Sequence, residues 1–146
     1  MTAAPSFRTF AAAEARYDTF RRAGKGRQDI CQWLGPQDDA PYQAGIAELS
    51  RIRIADYTFA FDDFLFVLEG GITIRQDDRS VDLGPGEALF IPRGATVTLE
   101  VPDRLVWTYV AHTGDTDWSS HANEPGAVEE MGTDGTDAGT PAGIRT

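Results

Sequence analysis

The sequence predicts an all-β protein, a small sandwich or barrel, on three observations. From about Asp29 to Trp118, branched and aromatic residues come in short runs that alternate with polar ones, the period of a half-buried strand. The runs are separated by turn chemistry such as "GPQDDAP", "RQDDRS", "LGPGE" and "PDR". Glycine and proline fall at the corners, where many short antiparallel strands must reverse.

Residues 1–28 read as an N-terminal extension, alanine-rich and charged. There "FAAAEARYDTFRR" offers a short amphipathic helix that would present Phe10, Tyr17 and Phe20 to a larger body. Residues 29–118 make the barrel, and alternation assigns its faces. In "GIAELSRIRIA" the side chains of Ile46, Glu48, Ser50, Ile52 and Ile54 share one side while Arg51 and Arg53 take the wet one, so Glu48 is expected inside. In "GATVTLEV" Ala95, Val97, Leu99 and Val101 point one way. If "PDR" closes a tight hairpin, Leu99 faces Trp107 and Val97 faces Tyr109, which brings Trp107 and Tyr109 into the interior. Residues 119–146 lose their apolar content, and "GTDGTDAGTPAGIRT" is expected to form a flexible, disordered tail.

Composition narrows the partners. With 146 residues the chain is one domain able to bury its own core. Its net charge is -10, from 23 acidic against 13 basic side chains, and such a surface repels nucleic-acid phosphates and anionic membranes. Cys31 is the single cysteine and no signal-like or long apolar run is present, so a soluble cytoplasmic protein is expected.

A pair of spaced corners is more specific. Asp63, six residues and Gly70 are followed by Gly86, five residues, Pro92, one residue and Gly94. This resembles the two motifs of the cupin superfamily, a jelly-roll barrel. The runs "YTFAFDDFLFVLEGGITI", "LGPGEALFIPRGATV" and "VWTYV", with a closing "DW", are similar to the cupin domain of the ethanolamine utilization protein EutQ over about residues 44–118. EutQ proteins carry a longer region ahead of the cupin, and this chain has extra residues in "AHTGDTDW". The resemblance implies a single cupin barrel, a homodimer, a place in ethanolamine metabolism and its microcompartment, and acetate kinase activity.

Carried onto this chain, the superfamily's metal positions fall on Tyr57, Phe59 and Val97, and only the acidic one keeps its chemistry, as Asp63. A transition metal needs about three N, O or S ligands, so neither a metal nor another cofactor is expected. His112 and His121 lie outside the inward positions. Asp63 then becomes an acid or base in an apolar barrel, or else a structural acceptor at a sheet corner. Glu48 would give a second carboxylate and Tyr57 a hydroxyl. Phe59, Val97, Leu99, Trp107 and Tyr109 would line a pocket for a small organic molecule, or simply fill the core.

Three readings stay open: an accessory protein of ethanolamine-type small-molecule metabolism, with or without acyl-phosphate chemistry, which the resemblance implies; a metal-free lyase, isomerase or cyclase using Asp63 and Glu48 beside Tyr57; a sensor or scaffold. A kinase would need phosphate contacts from Arg21, Arg22, Lys25 and Arg27 in "RRAGKGR", but the P-loop spacing is absent and a solvated turn is expected. Cys31 reads as an ordinary half-buried thiol, and no serine sits in a Gly-x-Ser-x-Gly elbow.

Overall fold

Two strands of seventeen residues each organise the computed structural model, which describes residues 6–114 and 125–132. They are β3 (Tyr42–Thr58) and β8 (Thr96–His112), antiparallel partners along their whole lengths. The others are β1 (Asp18–Ala23), β2 (Gly26–Leu34), β4 (Asp62–Gly70), β5 (Ile72–Gln76), β6 (Arg79–Leu83), β7 (Ala88–Ile91) and β9 (Ala127–Glu130). The first half of β3 pairs with β2 and the second half of β8's length pairs with β4. The remaining halves pair with β9 and β5. One antiparallel sheet, with the path β1-β2-β3-β8-β4-β7, therefore curls on itself through the long pair and closes a jelly-roll core.

Two register shifts in the β3–β8 ladder accompany the curl. They fall between Ser50 and Ile52 and between Ile54 and Tyr57, and Arg51 and Asp56 hold positive φ angles of 50° and 49°. Across each shift the parity of β3 that faces inward reverses. Ala47 and Leu49 are buried before the first bulge, Ile52 and Ile54 after it, and Tyr57 and Phe59 after the second. Leu65, Val67, Ile74, Leu99, Val101 and Leu105 complete the centre.

Three expectations are corrected here. The alanine-rich stretch is no helix: only Ala12–Glu14 makes a 3-10 turn, with no buried residue, and Asp18–Ala23 is a strand. A short helix is marginal without an apolar face to dock, whereas a strand can be held by pairing with β2. Phe10 still packs as expected of an anchor, stacked on Trp33 at 5.5 Å between ring centroids. The "PDR" segment is no hairpin, because β8 runs straight through it; Leu99 pairs with Ile54 and Val97 with Tyr57, while Trp107 pairs with Ala47. The expected tail lies mostly outside the described residues, but Ala127–Glu130 is a strand on β3. It is held by Arg53–Glu129 at 3.3 Å and Arg51–Glu130 at 3.5 Å, with Val128 against the core. Among the described residues no helix is long and apolar enough to cross a membrane.

The outer face of the sheet carries an uncovered apolar row. Register places Phe90, Phe64, Val110 and Ala44 side by side across β7, β4, β8 and β3, with Phe66 one step along. Phe64 and Phe90 are 48% and 57% exposed.

Candidate functional site

The inner face of the same sheet forms one wall of a cavity of about 250 Å³. Its lining changes character strand by strand. Asp18, Thr19 and Phe20 come from β1, and Gln28, Ile30 and Gln32 from β2. Gln43 and Ala47 follow on β3, Trp107 and Tyr109 on β8, then Asp63 and Leu65 on β4. Tyr57, Phe59 and Phe61, from the end of β3 and the turn into β4, form a further side. The β1–β2 edge is the polar mouth, where Asp18, Phe20 and Gln32 are exposed; Tyr57, Phe59, Asp63 and Trp107 are buried within.

Asp63 sits in β4 with its side chain inward because alternation leaves Asp62, Phe64 and Phe66 on the outside. It is 7% exposed, and its Oδ1 has no hydrogen-bond partner among the described residues. Burial alone pushes its carboxyl up to about 7, since no cation or donor offsets the loss of water. At neutral pH it can therefore hold or release a proton. The Tyr109 hydroxyl is also pushed up, first by burial and secondarily by the charge of Asp63, against a hydrogen bond from Gln32 that pulls it down. Gln32 also donates to Gln43 Oε1 at 2.9 Å. Arg21 donates to Gln28 Oε1 at 2.7 Å and to Tyr57 Oη at 3.2 Å, with its guanidinium over the Phe20 and Tyr57 rings.

Five residues expected from sequence meet here: Asp63, Tyr57, Phe59, Trp107 and Tyr109. Three do not. Glu48 points away, half-buried, and accepts from Arg104 at 2.7 Å, an arginine that also bridges to Glu69 at 2.7 Å. Simple alternation put Glu48 inside because it read β3 straight through the Arg51 bulge, which reverses parity. Val97 lies on a separate cavity of about 160 Å³ with Ile74, Phe90 and Ile91, and Leu99 is sealed in the core. The β1–β2 contribution was missed. Its available signal was the two-residue turn Gly24–Lys25 between strand-like runs, with Gln28, Ile30 and Gln32 alternating inward.

The metal positions of the superfamily do not fit an ion. They are occupied by Tyr57, Phe59 and Val97, and among the described residues no three His, Cys, Asp or Glu side chains come together. His112 is exposed at the end of β8 with its ring edge on Tyr42, and His121 lies outside the described residues.

A curled antiparallel barrel with paired Gly corners, an aromatic cavity and one inward acid defines a cupin whose usual ligand positions carry no donor set for a metal. Residues 15–120 match the family model of the ethanolamine utilisation protein EutQ, and the chain belongs to that family, which is linked to ethanolamine utilisation. The match begins ahead of β1, so the hairpin that forms the cavity mouth is part of it. A protein of Clostridioides difficile named acetate kinase EutQ is 35% identical over 76 residues, 52% of this chain and 46% of that protein. This chain thus matches less than half of that relative's length. The solved putative ethanolamine utilization protein Q of Salmonella typhimurium superposes with a TM-score of 0.62 at 21% identity, covering 71% of this chain and 84% of that one. The polyketide cyclase RemF of Streptomyces resistomycificus gives 0.62 at 20% identity, covering 86% and 85%. At those identities the two structures share the fold.

Proposed function

We propose that the protein is a metal-independent cupin that binds a small organic molecule and exchanges a proton with it through Asp63, as an accessory to ethanolamine-type metabolism. The observation that carries the reading is Asp63 itself: a buried carboxyl with an unpartnered oxygen, facing an aromatic cavity rather than a corner of the sheet. Asp29 also has a buried unpartnered oxygen, but its second oxygen pairs with Arg27 at 3.4 Å, whereas no cation or donor offsets the burial of Asp63. A metal-free lyase, isomerase or cyclase is the catalytic form of the same reading, with one carboxyl rather than two, since Glu48 faces Arg104. The kinase reading has less support: "RRAGKGR" closes the β1–β2 hairpin, and no Lys, Arg or His lines the cavity.

Elemental analysis tests the metal half. Purified protein should carry well under one equivalent of any transition metal, and dialysis against a chelator should leave its melting temperature unchanged. One equivalent of metal whose removal lowers the melting point would sink the reading.

We also propose that the uncovered aromatic row pairs with its copy in a homodimer. Taking about 200 Å² for a whole aromatic side chain, the exposed parts of Phe64, Phe66, Phe90 and Val110 amount to roughly 350 Å² of apolar surface, a fitting centre for a dimer interface of about 800 Å² per partner. At a net charge of -10 two copies repel on average, and close approach costs least across an uncharged patch. Light scattering should give twice the chain mass for the wild type and the single mass for Phe64→Asp with Phe90→Asp. A monomeric wild type would rule the interface out.

A further inference from the structure

The cavity's size and polarity indicate which small molecule it takes, an inference that rests on the proposed binding role. Its 250 Å³ would hold roughly eight water-sized guests at about 30 Å³ each. A two-carbon amine or acid would leave much of it unfilled. Six aromatic rings line it, those of Phe20, Tyr57, Phe59, Phe61, Trp107 and Tyr109, and flat π faces pack best against flat guests. No cationic side chain lines it, and Arg21 beside it is already engaged with Gln28 and Tyr57. The nearest cation stands behind Gln28 and Tyr57, so a carboxylate or phosphate beside Asp63 finds no counter-charge there.

The polar groups are split between two ends. Asp63 on β4 is three strands away from Gln28 on β2, about 14 Å along a flat sheet and less along this curled one. Tyr109 stands between them, bonded to Gln32 on one side and sensing Asp63 on the other. A guest that satisfies both ends must be several bonds long, with an acceptor for the Asp63 hydroxyl at depth and a hydroxyl for the glutamine amides at the mouth.

We propose that the site takes a neutral, planar, oxygenated ring compound of one or two rings, whose carbonyl oxygen accepts a hydrogen bond from Asp63 while its body lies along Trp107 and a distal hydroxyl meets Gln28 or Gln32. The competing guest is an ammonium ion such as ethanolamine, which an aromatic cage can also hold by cation–π attraction. The two differ in the Asp63 form they need. A carbonyl needs the protonated acid and an ammonium the carboxylate, so their affinities move in opposite directions with pH.

Calorimetric titration of the intact protein with hydroxytetralone, ethanolamine and acetate, at about pH 5.5 and about pH 8.5, on either side of the Asp63 midpoint, tests this. Hydroxytetralone should bind more tightly at the lower pH and about tenfold more weakly to Asp63→Leu. Should that variant not fold, Trp107→Leu, which removes the platform, should weaken binding comparably. Ethanolamine binding that strengthens with pH, with no heat from the ketone, would overturn the ligand class and leave the binding role of Asp63 standing. Acetate binding that Asp63→Leu weakens would do the same. Ketone binding that neither Asp63→Leu nor pH alters would overturn the proposed pose. No heat from any of the three would remove both the ligand class and the binding reading.

Discussion

Replacing Asp63 by asparagine raises the melting temperature at about pH 8 by roughly 10 °C and leaves it nearly unchanged near pH 4. The carboxyl is held at about 7 in the folded chain by burial, against an ordinary value of 3.8. Below 3.8 both folded and unfolded states carry the proton and the residue is neutral to folding. As the pH rises from there towards 7, the unfolded chain gives up its proton first, so stability is lost across that window and stays lost above it. At about 1.4 kcal/mol per unit the penalty reaches roughly 4 kcal/mol. Asparagine keeps the shape and never ionises, so its advantage should open over the same window. Thermal melts across the range check this. An advantage that is constant with pH, or absent, would show that the carboxylate is solvated or paired in the folded state.

The other large effect concerns the corner after β4. Gly70 has φ +77°, and a Cβ there would run into the backbone carbonyl of Arg104, the same carbonyl that accepts from the Gly71 amide at 3.0 Å. Gly70→Ala therefore combines a left-handed backbone, costing about 1–2 kcal/mol, with a clash that only backbone movement relieves. We expect a loss of about 3 kcal/mol or more. Gly86 is the control: its φ is +86° but nothing lies within 4 Å of a Cβ, so Gly86→Ala should cost only about 1 kcal/mol. Denaturant melts of the pair separate contact from conformation. Equal losses would mean that the Arg104 carbonyl yields freely.

Much of the fold was legible because its signals are local. The corner glycines announce themselves by spacing, and Gly70, Gly86 and Gly94 all hold positive φ. Asp63, Tyr57 and Phe59 follow from motif position, whereas Trp107 and Tyr109 were expected inside from a hairpin that the structure lacks and are inside because they alternate along β8 opposite β3 and β4. What escaped was long-range. The side of Glu48 depends on a bulge whose only sequence sign is an arginine, and arginine is no turn residue. The β1–β2 wall was hidden because alanine-rich segments favour helix locally, whereas pairing with β2 decides the outcome in the folded chain. The β9 strand is only four residues, two apolar and two acidic, whose place on β3 rests on Val128 and on ion pairs with arginines far away in sequence.

The bulge at Arg51 also bears on how such cavities diversify. Glu48 and Ala47 are neighbours on opposite faces, and which of them turns inward is set by the register shift at Arg51, where one residue of β3 lies opposite Pro102 and Asp103 of β8. A regular ladder through that point would carry the inward alternation of Ile54 and Ile52 straight on to Glu48 and turn Ala47, which lines the cavity, outward. A barrel of this kind can thus change which side chains face its interior by forming or smoothing one bulge, with no side chain replaced.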